Sequence, residues 1–305
     1  MVDTILGNKQ EFPLVIREDR EEVAIVEIRR HEALNALNSA VISQLGMIFN
    51  ELKADTKIRG VVLTGSGDRA FVAGADIKEI AGLKTPAEGM AFSIRGQEVF
   101  NLIENLGKPV VCAMNGLALG GGNELTMACS ARIAKKGMKV LAGQPEPKLG
   151  IIPGFGGTQR LPRIVGFDKA WYLLRTGALI SSEEAKQIGL ISEEIGGITS
   201  NGDIISAGIT FVRKIIRREI SLSPISRARI RVPESLPEVN IGNLSRKIDE
   251  ILVKAVIEGA KMALEDGLKY EAKCFGECWQ TKDMRIGIET FIQYGPKKEA
   301  PFVHS

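Results

Sequence analysis

The stretch Leu119-Gly120-Gly121-Gly122-Asn123-Glu124 constrains this chain more than any other. It follows an apolar, strand-like run, Pro109-Val110-Val111-Cys112-Ala113-Met114, and Asn115-Gly116. It precedes a helical pattern that starts at Glu124 and continues through Cys129. Glycines at a strand-to-helix turn let backbone approach its neighbours closely and take dihedrals closed to other residues. The first N–H groups of a helix lack intrahelical partners and lie at the positive end of its dipole, so the turn can hold an anion or a developing oxyanion. Glu124, in the first turn, would sit beside whatever oxygen those amides hold. The same glycines also suit plain close packing of helix on strand, and at this point both readings stand.

The surrounding pattern is α/β. Val23–Ile28, Gly60–Thr64, Pro109–Met114 and Ala131–Ala134 read as buried strands, separated by helical patterns from Ser39 and from Thr85-Pro86-Ala87-Glu88, a capping box with Pro at the first helical position. Strands alternating with helices at this spacing imply a layered α/β protein. Beyond Gly157 the chain turns helical, with segments expected near 157–165, 167–176, 182–188, 203–219, 244–266, 267–280 and 283–293. The first 22 residues are polar and read as a peripheral strand or tail. Residues 222–243 carry Pro224, Pro233 and Pro237 among Ser, Asn and Arg and form the best linker candidate. The expected division is a core over 1–200 and a helical C-terminal region over 201–305.

Three stretches can carry chemistry: Phe71-Val72-Ala73-Gly74-Ala75-Asp76-Ile77-Lys78, the triple glycine with Glu124, and residues 143–160 containing Glu146. A tight turn, close packing and an exposed loop are their bland counterparts. The chain lacks G-x-x-x-x-G-K-[ST] and lacks G-x-G-x-x-G after a strand, so neither a P-loop nor a dinucleotide fingerprint is supported. Its two histidines, His31 and His304, leave little for a Ser–His or Cys–His mechanism. Carboxylates are the acid–base candidates that remain. A net charge of +3 without a basic block gives no basis for nucleic-acid binding. The absence of an apolar run of ~18 residues gives no membrane span, and no secretory signal is visible. Four cysteines, two of them in apolar runs, fit free thiols in a reducing, cytoplasmic setting. Cys274 and Cys278 lack a second ligand pair, so no metal site is expected.

Taken together, the three stretches resemble the crotonase (enoyl-CoA hydratase/isomerase) superfamily in consistent order over about residues 15 to 200. The resemblance runs from Glu32-Ala33-Leu34-Asn35-Ala36-Leu37 through Ala73–Lys78 and Asn115–Leu125 to Gly143-Gln144-Pro145-Glu146 and Pro153–Leu161. It resumes over Thr176–Ala185 and Gly189-Leu190-Ile191. It implies a spiral of ββα units with a helical C-terminal region. It also implies an acyl-CoA thioester substrate, no cofactor beyond the coenzyme A of that substrate, and assembly as a homotrimer or hexamer.

By the same resemblance, the backbone N–H groups of Ala75 and Gly121 polarise the thioester carbonyl, Glu124 activates water and Glu146 protonates Cα. Glu32, Ala33, Leu34, Ala73, Gly74, Asp76, Ile77, Lys78, Leu119 and Gly120 fall where the family holds substrate and coenzyme A. Both carboxylates are present, which favours hydration. A double-bond isomerase of the same superfamily, which keeps the residue matching Glu146, and a non-catalytic RNA-binding or scaffold role are the alternatives. The chain departs from the family pattern at His31, where members have Pro, and over 134–142, about two residues longer than usual. Beyond about residue 215 it exceeds the usual C-terminal helices by roughly 40 residues and resembles hydratase modules of multifunctional β-oxidation proteins. Arg227, Arg229 and Arg231 alternate in that stretch, as a solvated surface or as contacts to coenzyme A phosphates.

Overall fold

The computed structural model describes residues 13–305. A hairpin of β1 (Val15–Arg20) and β2 (Val23–Ile28) leads to α1 (Ser39–Ala54). Next come β3 (Gly60–Gly65), β4 (Ala70–Val72), α2 (Ile77–Gly82) and α3 (Pro86–Glu104), then β5 (Val110–Met114), β6 (Leu117–Leu119) and α4 (Gly121–Met127). The third repeat is β7 (Ala131–Lys135), β8 (Ala142–Gly143), a 3-10 turn (Glu146–Leu149), α5 (Gly157–Val165) and α6 (Phe167–Thr176). The chain closes with β9 (Leu179–Ile180), α7 (Ser182–Gln187), β10 (Glu193–Ile195), α8 (Asn201–Ile216), α9 (Arg246–Ala260), α10 (Leu264–Glu277) and α11 (Lys282–Tyr294).

The first strand of each repeat joins one sheet, ordered β1-β2-β3-β5-β7-β10, and the second joins another, ordered β4-β6-β8-β9. Both sheets are parallel except at β1/β2 and β8/β9. Each turn of chain thus adds one strand to each sheet before a helix returns it, the ββα spiral expected from the resemblance. β3 and β5 are buried along their whole length, which is why they read as continuous apolar runs rather than alternating ones.

Local signals set most element ends. Asn38 caps α1 by accepting from Val41 N, and Thr85 caps α3 by accepting from Glu88 N. The expected box at Thr85 is displaced by one residue: the Glu88 carboxylate takes the amide of Lys84 at 2.7 Å, one position before the cap. α8 opens at Asn201 instead of residue 203, because Ser200 and Asp203 form a full reciprocal capping box. The expected division between helices at 266/267 falls at residues 261–263, so α10 begins at Leu264.

Residues 217–245 contain no helix or strand, as the prolines suggest. They do not hang free. The Trp171 indole donates to Pro237 O at 2.9 Å, and Leu236 and Val239 pack against the main core. α8 packs on the outer face of the larger sheet, where Ile204, Ile209, Phe211 and Val212 join a second apolar cluster with Val62, Val111 and Ile133. Residues 1–12 lie outside the described residues, so the reading of a polar N-terminal segment meets structure at β1 alone. Among the described residues no helix is long and apolar enough to cross a membrane.

Candidate active site

Two turns, one after β4 and one after β6, meet at the wall of a single cavity of about 750 Å³. The first turn is fixed by the neighbouring repeat: Leu37 N donates to Gly74 O and Asp76 N donates to Leu37 O, both at 2.9 Å. Bonding on either side of Ala75 leaves its own N–H without an acceptor among the described residues. Asp76 caps α2 through Lys78 N and also pairs with Arg30 at 2.7 Å, which ties the turn to the chain that follows β2.

The second turn is shaped by glycine. Gly120 adopts φ +52° and ψ −127°, which side chains avoid, and a Cβ there would lie 2.9 Å from Glu146 Oε1. At Gly122 a Cβ would fall 2.0 Å from the carbonyl oxygen of Val72. That approach presses the start of α4 onto β4 and so brings the two turns together. A Cβ at Gly121 would stand 3.3 Å from Ala75 N. Gly121 N, first in α4, likewise has no acceptor among the described residues. Two unpaired main-chain amides from separate repeats therefore face one cavity, which suits them to an oxygen that gains charge.

Both carboxyls also line this cavity. Glu124, 1% exposed, projects from α4, and its Oε1 accepts from Phe155 N at 2.8 Å and Gly157 N at 2.6 Å. Burial pushes its proton affinity well above the usual carboxylate range. Glu146 and Glu271 push it the same way, and the two amides pull it back. Glu146, 7% exposed, opens the 3-10 turn after β8, and its Oε2 has no hydrogen-bond partner among the described residues. Burial above all pushes it up to about 8, against the pull of its own backbone amide. Glu271 pushes both carboxyls up, and Glu146 also pushes up Glu124. Of the two, Glu124 has the N–H bonds that stabilise an anion, whereas the bare oxygen of Glu146 suits a carboxyl that keeps its proton near neutrality.

Linkage gives Glu146 a testable signature in stability. The folded chain holds its proton up to about pH 8, and the unfolded chain releases it near 4.5. Between those values unfolding releases a proton, so stability falls as pH rises. Glu146→Gln does not ionise and escapes that loss. Its melting temperature should match wild type near pH 4.5 and exceed it by about 3 °C or more at pH 8. A constant difference across that range would contradict the assignment, and differential scanning calorimetry reads it directly.

Of the residues expected to hold substrate, Leu34, Ala73, Gly74, Ile77, Leu119 and Gly120 line the cavity. Glu32 borders an adjoining pocket of about 260 Å³ that shares Leu34 with it. Ala33, Asp76 and Lys78 line neither, and Lys78 is exposed. Arg227 is drawn away to Glu265 and to Asn105 Oδ1 at 3.1 Å, and Arg231 pairs with Glu234 at the surface. Cys274 and Cys278 are free, buried thiols, both pushed up to about 12 by burial. The sequence reading missed the far wall: Asn240–Leu244, Phe291 and residues 296–300 also line the cavity. Nothing in their local pattern marks them, because they reach the site only through the packing of α9 and α11.

A family model described as enoyl-CoA hydratase/isomerase matches residues 18–221. The chain is similar to a short-chain-enoyl-CoA hydratase of Clostridium acetobutylicum, at 37% identity over 92% of this chain and 94% of that protein. It is also similar to a crotonyl-CoA hydratase of Syntrophomonas wolfei, at 36% identity over 95% and 97%. Among solved structures, an enoyl-CoA hydratase from Bacillus anthracis aligns with a TM-score of 0.62 at 28% identity, over 96% of this chain and 100% of that one.

Proposed function

Because this chain belongs to the enoyl-CoA hydratase/isomerase family, we propose that it adds water across the 2,3 double bond of an enoyl-CoA thioester, or removes it from the 3-hydroxyacyl product. The observation that carries the reading is the pair of buried carboxyls beside two unpartnered amides in one cavity. The thioester oxygen accepts from Ala75 and Gly121. Glu124 takes a proton from water as the water oxygen bonds to Cβ, and the π electrons move onto the thioester as an enolate. Glu146 then gives its proton to Cα, and the enolate electrons form that C–H bond. Proton exchange with solvent or between the two acids restores the starting state.

Leu34, Ala73, Gly74, Ile77, Leu119 and Gly120 would flank the acyl-pantetheine, with Glu32, Ala33, Asp76 and Lys78 towards the nucleotide end. Coenzyme A enters as part of the substrate, and this chemistry calls for no other cofactor. The names of the relatives support a short acyl chain, and four free thiols support a reducing, cytoplasmic setting. Assembly as a homotrimer or hexamer follows from the family resemblance and is read by size-exclusion chromatography with light scattering.

Incubation with 2-enoyl-CoA esters of graded length, starting at crotonyl-CoA, tests the reading. The conjugated thioester absorbance should fall as the 3-hydroxyacyl ester forms, fastest for the short chains. Inertness towards every 2-enoyl ester, with conjugation appearing from 3-enoyl-CoA, would replace hydration with isomerisation.

A further inference from the structure

The turn Phe155–Thr158 is built so that four consecutive amides serve two buried carboxylates on opposite sides. Phe155 N and Gly157 N donate to Glu124 Oε1. Gly156 N donates at 2.6 Å to Glu271 Oε1, and Thr158 N donates at 2.8 Å to Glu271 Oε2. The Thr158 hydroxyl adds a bond of 2.6 Å and Gln97 Nε2 one of 3.1 Å, so Glu271 accepts four hydrogen bonds while fully buried. It sits on α10 and does not line the cavity. A carboxylate this deep is costly to place and persists only where its bonds define something.

What they define is the turn. Gly154 O accepts from Gln97 Nε2 at 3.1 Å and from the Ser93 hydroxyl, and Phe155 O accepts from Arg160 Nη1 at 3.0 Å. Gly156 has φ +110° with the Arg160 guanidinium packed against it. We infer that Glu271 is a positioning residue of the reaction: it holds Phe155–Thr158 in the arrangement that aims Glu124 into the cavity, and it sets the charge behind that carboxylate. This rests on Glu124 acting as the base, as described above. The charged groups around the turn are Glu146 from the 3-10 turn after β8, Arg160 from α5 and its partner Glu104 from α3 at 3.1 Å. Burial pushes Glu271 up to about 7 against the pull of its hydrogen bonds, so above that pH it is an anion on the far side, and removing its charge leaves Glu124 easier to ionise.

The test compares Glu271→Gln with Thr158→Val. Glutamine keeps one acceptor oxygen, loses the charge and sets an NH2 against the Thr158 amide. Its kcat should fall about tenfold with KM within about twofold of wild type, since a base misplaced by a fraction of an ångström loses rate more than binding. The acid limb of its kcat profile should move ~0.5 pH unit or more to lower pH, because an ionised base loses a like-charged neighbour. Thr158→Val removes one bond and keeps the charge, so kcat should fall by less and the limb should stay in place.

Wild-type kcat and an unmoved limb in Glu271→Gln would overturn the inference. If that variant fails to fold, Thr158→Val decides: a wild-type melting temperature with reduced kcat supports it, and unchanged kcat overturns it. An infrared titration of the substrate-free enzyme, with the Glu124 band assigned by Glu124→Gln, reads the same carboxyl without turnover. A wild-type chain inert to enoyl-CoA would remove the proposed reaction while the band still reports on Glu271. Turnover with a band that does not move in Glu271→Gln would remove only the role of Glu271.

Discussion

Glu124→Gln should lower kcat for crotonyl-CoA hydration about 10³-fold while KM changes less than about threefold, within the range a positioned general base supplies. Glutamine is isosteric and keeps an oxygen for the Phe155 and Gly157 amides, both within 2.8 Å of Glu124 Oε1. The turn therefore keeps its anchor on this side, and the melting temperature should hold or rise, because a buried group that ionises reluctantly has been replaced by one that does not ionise. Loss of rate with retained binding and stability is the signature of a group acting in the transition state. A tenfold loss or less would mean that water is activated elsewhere, and Glu146 would then be the one acid–base group, as in the isomerase alternative. Hydrogen exchange at Cα separates the roles further. Above about pH 8, where Glu146 is ionised and can take a Cα proton, Glu124→Gln should still wash deuterium from solvent into Cα of a saturated acyl-CoA, whereas Glu146→Gln should not.

The candidate site was legible in the sequence because its parts are local. Gly120, Gly121 and Glu124 lie within one turn, and strain, exposed amides and a first-turn carboxylate can all be read from five letters. The runs 71–78 and 143–160 stood out as Gly- and Pro-containing turns, but Ala75 and Glu146 were singled out within them only by the family resemblance. The first sheet was legible as well, because β3 and β5 are long and uniformly apolar. The second sheet was not: β4, β6, β8 and β9 span two or three residues each, too few for any period to register. Their pairing is dictated by the larger sheet, which stacks the repeats and carries the short strands into line.

Glu271 escaped for a related reason. On α10 it reads as one more helical acid, and its partner Thr158 is 113 residues away. Only the docking of α10 against α3 and α5 makes it a buried acceptor of four bonds. Likewise, the prolines of 222–243 rule out helix and strand correctly but do not reveal that Asn240–Leu244 wall the cavity.

The oxyanion pair can be tested with a single methyl group. Gly121→Ala is permitted by the backbone, since Gly121 does not have positive φ, yet its Cβ would stand 3.3 Å from Ala75 N and 3.1 Å from Phe155 Cδ2. The ring cannot easily yield, being packed at 5.3 Å from Phe92 and 5.5 Å from Phe100. The methyl therefore occupies the space where an oxygen would meet both amides. Stability should fall modestly, while kcat/KM should fall about 10²- to 10³-fold, the loss typical of removing one oxyanion donor. Infrared spectroscopy of a bound saturated acyl-CoA isolates the cause. In wild type the thioester carbonyl band should shift to lower frequency on binding, because two aligned N–H groups draw electron density onto the oxygen. In Gly121→Ala the band should return towards its solution position. A shifted band that survives the methyl would mean that the polarising groups lie elsewhere in the cavity, and the pairing of Ala75 with Gly121 would have to be given up.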